Sequence, residues 1–194
     1  MRNVIVVTSL LVASATLAHA QPTELTSEAA PAPRTTPIGY LETGVMAGFN
    51  GELLALAATF DAGYHLDGMP LWLHGRVATG RGDKLFADGT GSLVQVRAGI
   101  ESRGCTFGGI LCAMVGVDLA YQRTAWTGHD VPLFPEDGST TAPDMTTVTS
   151  DMLFVPRIGL DIGGALRVRP SLELALGGAG VDGANATLAL AYQW

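Results

Sequence analysis

From Ile38 onward the chain alternates. Apolar side chains fall at every second position in segment after segment, and no stretch repeats at the 3.6-residue period of an amphipathic helix. A period of two belongs to strands whose two faces meet different surroundings. Eight such segments can be traced, at 41–49, 54–64, 71–79, 94–100, 113–121, 154–162, 166–176 and 186–194. The predicted class is all-β. In none of the eight does the apolar parity carry a charge; 54–64, for example, reads Leu54, Leu56, Ala58, Phe60, Ala62, Tyr64.

The opposite parity is small, polar or charged. It collects Glu42, Asp61, Glu101, Asp118, Asp161 and Glu173 against Arg76, Arg97, Arg157, Arg167 and Arg169, with His74, Gln95, Gln122 and several glycines between them. Segment 166–176 is the clearest, with Arg167, Arg169 and Glu173 on one face and five aliphatics plus Pro170 on the other.

Two architectures accommodate such strands. A soluble sandwich buries its apolar face and wets the charged one. A membrane barrel turns the apolar face to lipid and the polar face inward. Near-balance of opposite charges suits an enclosed interior, where each charge needs a partner. A wetted face has no such requirement and would carry lysine, yet Lys84 is the only one in the chain and falls between strands. The connections support the barrel. Asn50-Gly51, 80–91, 127–151 and 177–185 fall at one edge; 66–70, 103–111 and Gly163-Gly164 fall at the other and are mostly shorter. Long loops at one edge and short turns at the other is the outer-membrane pattern. The expected fold is an eight-stranded antiparallel up-and-down transmembrane β-barrel, whose lumen side chains fill. The charge network filling it is expected to draw on Glu42, Asp61, Arg76, Arg97, Glu101, Asp118, Arg157, Asp161, Arg169 and Glu173. Pro156 and Pro170 each lack an N–H for the ladder and are expected near strand ends or at bulges.

The final residues place Leu188, Leu190, Tyr192 and Trp194 at alternate positions, ending on an aromatic. This resembles the C-terminal insertion signal of bacterial outer-membrane barrels. With the eight segments, the chain is similar to the small eight-stranded barrels of the OmpA, OmpX and opacity-protein type over 38–194. The resemblance implies outer-membrane lipid and, during insertion, the barrel-assembly machinery as partners, in a monomer.

The N-terminus agrees. Residues 1–20 have a basic start at Arg2, a mostly apolar stretch and an Ala18-His19-Ala20 cleavage motif, which reads as a secretory signal peptide. Residues 21–37, with Pro22, Pro31, Pro33 and Pro37, read as a disordered Pro/Thr-rich periplasmic tail. Localisation to the outer membrane of a Gram-negative bacterium, after export through the inner membrane, is the expectation. A net charge of −7 argues against a nucleic-acid partner.

Cys105 and Cys112 lie across the turn between the fourth and fifth segments. Direct pairing sets a register in which Ile100 faces Val117 on the apolar side and Glu101 faces Gly116 on the polar side. That phase agrees with the alternation found independently, and an oxidising periplasm favours a bridge. The alternative, a redox pair, normally needs C-x-x-C in a thioredoxin-like fold.

Other motifs carry less. Gly178 to Gly183 spells G-x-G-x-x-G, but a strand rather than a helix follows it, so a hairpin loop is the reading. Arg81-Gly82-Asp83, in an expected surface loop, matches an adhesion tripeptide. Of the histidines, His74 takes a lumen position, His65 lies near a short turn, and His129, beside Asp130, lies near the outer face without triad spacing to Ser139 or Thr140. No cofactor is indicated and no metal motif is present. Segment 127–151 is acidic, without lysine or arginine. It contains a candidate surface contact: Asp130, Glu136 and Asp137 as oxygen ligands for divalent cations or a basic partner, with Leu133 and Phe134 as an apolar anchor. The function expected is a non-enzymatic barrel with a side-chain-filled lumen in a structural or surface-interaction role. A small-solute channel and a lipid-modifying enzyme are the alternatives.

Overall fold

The computed structural model of the chain describes residues 37–50, 53–84, 89–128, 145–178 and 180–194. Within the unit Ile38–Trp194 they form eight antiparallel strands: β1 (Gly39–Asn50), β2 (Leu53–His65), β3 (Leu71–Lys84), β4 (Gly89–Thr106), β5 (Leu111–Gly128), β6 (Met145–Gly163), β7 (Leu166–Gly177) and β8 (Gly180–Gln193). Each pairs with its sequence neighbours, and β1 pairs with β8, so the sheet closes into a barrel in the order β1 to β8. Closure removes the edge strands and satisfies the backbone internally, which a sheet in hydrocarbon requires.

The two faces sort as the alternation predicts, with the polarity of a soluble protein inverted. Leu41, Val45, Leu56, Phe60, Val77, Val96, Leu119, Ile158, Leu172, Leu188 and Leu190 all stand exposed on the outside, while Glu42, Asp61, Arg76, Arg97, Glu101, Asp118, Arg157, Asp161, Arg169 and Glu173 are buried. Adjacent residues decide it: Leu172 is 60% exposed and Ser171 6%. Water would not support so broad an aliphatic belt around a charged interior, whereas lipid does.

The strands are longer than the sequence reading gave. β3 runs to Lys84 and β4 begins at Gly89, β5 and β6 extend to Gly128 and from Met145, and β7 and β8 meet across 178–179. The loops at 80–91, 127–151 and 177–185 are shortened accordingly, because ladder pairing continues through polar residues once both neighbours are in place. Arg81-Gly82-Asp83 therefore belongs to β3, with Arg81 paired to Leu56 on one side and Ser92 on the other, not to a loop. A 3-10 turn, Phe107–Gly109, joins β4 to β5, and Gly68 reverses the β2–β3 turn with φ of 75°, a conformation glycine adopts without steric cost.

Pro156 and Pro170 are not at strand ends, nor at the one register shift, between Ala175 and Leu176. Pro156 sits inside β6 opposite Val117, and Pro170 inside β7 opposite Leu188. Both of those ladders run unbroken past the proline. On the β6–β7 seam, pairs are present at Phe154↔Leu176, Arg157↔Glu173, Ile158↔Leu172, Gly159↔Ser171, Ile162↔Val168 and Gly163↔Arg167, and missing between them at the positions of the two prolines. The absent N–H groups are thus gathered on one seam.

Candidate functional site

The inward side chains form a network in the half of the barrel nearer the two termini. Arg76, buried on β3, donates from Nε to Asp61 Oδ2 at 2.9 Å, from Nη1 to Glu173 Oε1 at 2.6 Å and from Nη2 to Glu42 Oε1 at 3.0 Å. It therefore ties β1, β2 and β7 to β3. Arg97 on β4 donates to Glu173 Oε2 at 2.5 Å and to Gln95 Oε1 at 2.6 Å. Arg157 on β6 donates to Glu101 Oε2 at 2.5 Å. Arg169 on β7 reaches Glu42 Oε2 at 2.9 Å and Asp161 Oδ2 at 3.0 Å. His74 stands between Asp118 Oδ1, 2.9 Å from Nε2, and Asp61 Oδ2, 3.3 Å from Nδ1. The structure thus brings together all ten residues that the sequence nominated.

Three more belong to it. Arg103 bonds Glu101 through Nη2 and Asp161 through Nη1 at 3.2 Å, and its guanidinium lies over the rings of Trp72 and Tyr40 at 3.9 and 4.7 Å. Arg167 approaches Asp161 at 3.5 Å and donates to the Gly109 carbonyl at 2.8 Å. Tyr40 donates its hydroxyl to Asp61 at 3.0 Å. Arg103 falls in the 103–111 stretch that the sequence marks as a turn, but β4 continues to Thr106 and the parity of Arg97 and Glu101 carries through to it. Arg167 sat on the polar parity throughout. With both included, six carboxylates (Glu42, Asp61, Glu101, Asp118, Asp161, Glu173) meet six guanidiniums (Arg76, Arg97, Arg103, Arg157, Arg167, Arg169). Burial this deep favours such balance, since a surplus charge would lack compensation.

Toward the other end the lumen turns apolar. Met46, Ala55, Ala57, Ala78 and Leu93 form one buried cluster and Ala120, Leu153, Val155 and Ala175 a second. Gln95 and Gln122 bond each other between these clusters and the charges, at 2.9 Å, and an Asn50–Asn185 amide pair lies at the far end. Among the described residues, the buried inward side chains are ion-paired nearer the termini and apolar beyond.

Cys105 and Cys112 form a disulfide, directly opposite one another, with Ile100 facing Val117 and Glu101 facing Gly116. The bridge pins the β4–β5 hairpin beside the turn that Arg167 holds. His65 packs its ring 4.9 Å from Trp72 at the same end. Leu188, Leu190, Tyr192 and Trp194 lie on the outer face of the last strand and its end, all exposed, with the Tyr192 and Trp194 rings stacked at 6.2 Å. The 1–20 signal segment, the 21–36 part of the tail, His129, and the loop candidates Asp130, Leu133, Phe134, Glu136 and Asp137 lie outside the described residues. Among the described residues no group of His, Cys, Asp and Glu is arranged to hold a metal ion.

No protein-family model and no curated protein matches the chain. Solved structures do resemble it. The attachment invasion locus protein Ail of Yersinia pestis superposes with a TM-score of 0.56 at 11% identity, over 82% of this chain and all of that one. The Neisserial surface protein A, NspA, gives 0.55 at 12% identity over 80% of this chain and 97% of its own. The N-terminal barrel domain of Pseudomonas aeruginosa OprF gives 0.53 at 15% identity, again over 82% of this chain and 100% of its own. At these identities it is the fold that is shared: the chain has the closed eight-stranded barrel of small outer-membrane proteins.

Proposed function

We propose that this protein is a non-enzymatic barrel of the bacterial outer membrane, acting as a structural or surface-interaction protein rather than a pore. One observation carries the reading: a continuous aliphatic exterior surrounds a lumen closed twice over, by the charge network and by the Met46, Leu93, Leu153 and Val155 layers. The exterior calls for lipid, and the lumen leaves solutes no path. The buried His74 is held between two carboxylates, a structural placement. Export by a cleaved signal peptide, and insertion guided by the alternating apolar end of β8, fit the same placement.

The test has two measurements. Folded protein in detergent should migrate differently before and after boiling, as closed barrels do. The same protein in planar bilayers should give no conductance steps. Unchanged migration would overturn the membrane barrel, and reproducible unitary steps would overturn the sealed lumen.

A further inference from the structure

The Cys105–Cys112 bridge joins β4 to β5 at the end of the barrel that also holds Ile38 and Trp194. Its two sulfurs meet different surroundings. Cys105 follows Arg97, Glu101 and Arg103 on the inward parity of β4, so it faces the mouth of the barrel rather than its outer wall, and it is exposed. The space beside it is open: a Cβ on Gly104 would meet nothing within 4 Å. Cys112 is 2% exposed. Arg167 of β7 donates from Nη1 to its Sγ at 3.5 Å and from Nη2 to the Gly109 carbonyl at 2.8 Å, which fixes the guanidinium to the turn between the two cysteines. Asp161 is the acid opposite Cys112 in the β5–β6 ladder. It approaches Arg167 at 3.5 Å, but Arg103 and Arg169 hold it more closely, at 3.2 and 3.0 Å. The Arg167 charge therefore remains to act on Cys112.

Thiol–disulfide exchange is governed by access to the sulfur attacked and by how readily the other sulfur leaves as thiolate. A neighbouring guanidinium stabilises a thiolate. Here the accessible sulfur and the cation-supported sulfur are different atoms, which directs attack to one end of the bond. We propose that the bridge is an exchange site for small thiols, with Cys105 the sulfur attacked and Cys112 the leaving thiolate held by Arg167. An incoming thiolate bonds to Cys105 Sγ as the Sγ–Sγ bond breaks, and the bonding pair departs on Cys112. A second thiolate then attacks the sulfur of the first. The small disulfide leaves, and Cys105 keeps the electron pair and takes a proton from water. Two thiols are thereby oxidised to one disulfide, and the protein bridge is reduced to a thiol and a thiolate. An oxidised small thiol reverses both steps. The hairpin favours that return. Cys105 and Cys112 are ladder partners, the ladder continues past them to Thr106 and Leu111, and the Gly163 N–H braces the turn by donating to the Ile110 carbonyl at 2.8 Å. The reduced sulfurs therefore stay opposed. This differs from a C-x-x-C pair, because the two sulfurs lie on facing strands and a guanidinium supports the one that leaves.

The test uses the full chain folded in detergent, with reduced glutathione in excess as the thiol. Samples are quenched with N-ethylmaleimide, and the modified cysteines are located by peptide fragmentation in a mass spectrometer. In wild type the trapped mixed disulfide should carry glutathione on Cys105 and the maleimide on Cys112. Glutathione on Cys112, or equally on both, overturns the site, and so does a folded bridge that glutathione leaves intact. The second reading is the rate at which the bridge is reduced. Arg167→Gln should slow it about three- to tenfold, as loss of the cation beside the leaving sulfur requires. A merely structural brace would act the other way, since a loosened turn opens the bridge to attack. A rate unchanged or raised in Arg167→Gln therefore overturns the site. Should that variant fail to fold, the position of the adduct in wild type decides alone. The exchange does not depend on a lipid-facing exterior, so its failure leaves the membrane placement standing.

Discussion

Replacing Arg97 by methionine tests the lumen network most directly. Its guanidinium bonds Glu173 at 2.5 Å and Gln95 at 2.6 Å, lies 3.8 Å from Asp118, and packs 3.5 Å from the Met46 sulfur. Methionine keeps most of the volume and removes the charge, leaving six carboxylates against five guanidiniums in a buried interior. Breaking a buried pair from one side costs about 3–5 kcal/mol. Glu173→Gln is the mirror image: it removes the anion that Arg76 and Arg97 share, turns one of the two acceptor oxygens into an NH2 donor and leaves a surplus cation. Combining the two restores five against five. The double variant should therefore be less destabilised than the sum of the singles, by a coupling of about 0.5–3 kcal/mol. The assay is urea unfolding of the protein in phospholipid vesicles, followed by tryptophan fluorescence, to which Trp72 beside the network contributes. A cost for Arg97→Met within about 0.5 kcal/mol of zero, or strict additivity in the cycle, would refute the buried network.

Three further outcomes follow from the geometry. Leu172→Arg, on the lipid face, should block insertion or cost about 2–4 kcal/mol near the midplane, whereas Leu172→Phe should insert normally; gel mobility of the two reads the difference. Gly99→Ala would drive a methyl group into the Asp118 carboxylate and the Val117 carbonyl, so it should displace Asp118 from His74 and cost about 1–3 kcal/mol in the same urea assay. Removing the disulfide as Cys105→Ser with Cys112→Ser should lower stability by about 2–3 kcal/mol, the chain-entropy value for so short a loop, and reductant should shift the wild type by the same amount while leaving the variant unchanged.

The sequence carried the strand count, the facing of the side chains and the β4–β5 register, because a two-residue period with charges on one parity leaves little freedom. Strand seven shows why: Arg167, Arg169 and Glu173 cannot all face lipid, so its phase is forced. Strand ends were less legible. Nothing in Arg81 or Asp83 favours a strand, and they are strand only because the neighbouring ladders extend past the belt. The same effect hid Arg103, whose place in the network depends on β4 continuing to Thr106. The prolines were misplaced for a different reason. A proline in a strand costs one donor on one side only, and the chain tolerates two by directing both toward β6–β7, a choice that local sequence does not record.

A narrow eight-stranded barrel has little room for twelve charged side chains, and the glycines explain how they fit. On the inward parity β4 reads Arg97, Gly99, Glu101, and β6 reads Arg157, Gly159, Asp161. A Cβ at Gly159 would come within 2.9 Å of the Ser171 Cβ and 3.0 Å of the Met114 Cε, and one at Gly116 within 3.1 Å of the Glu101 Cβ. Each glycine thus yields the volume that a neighbouring long side chain needs to cross the lumen and meet its partner. Glycine serves the apolar end in the same way: a Cβ at Gly80 would come within 2.6 Å of the Ala57 Cβ and one at Gly91 within 2.8 Å of the Leu53 Cδ2, so inward glycines make room for aliphatic packing there as they do for the charges.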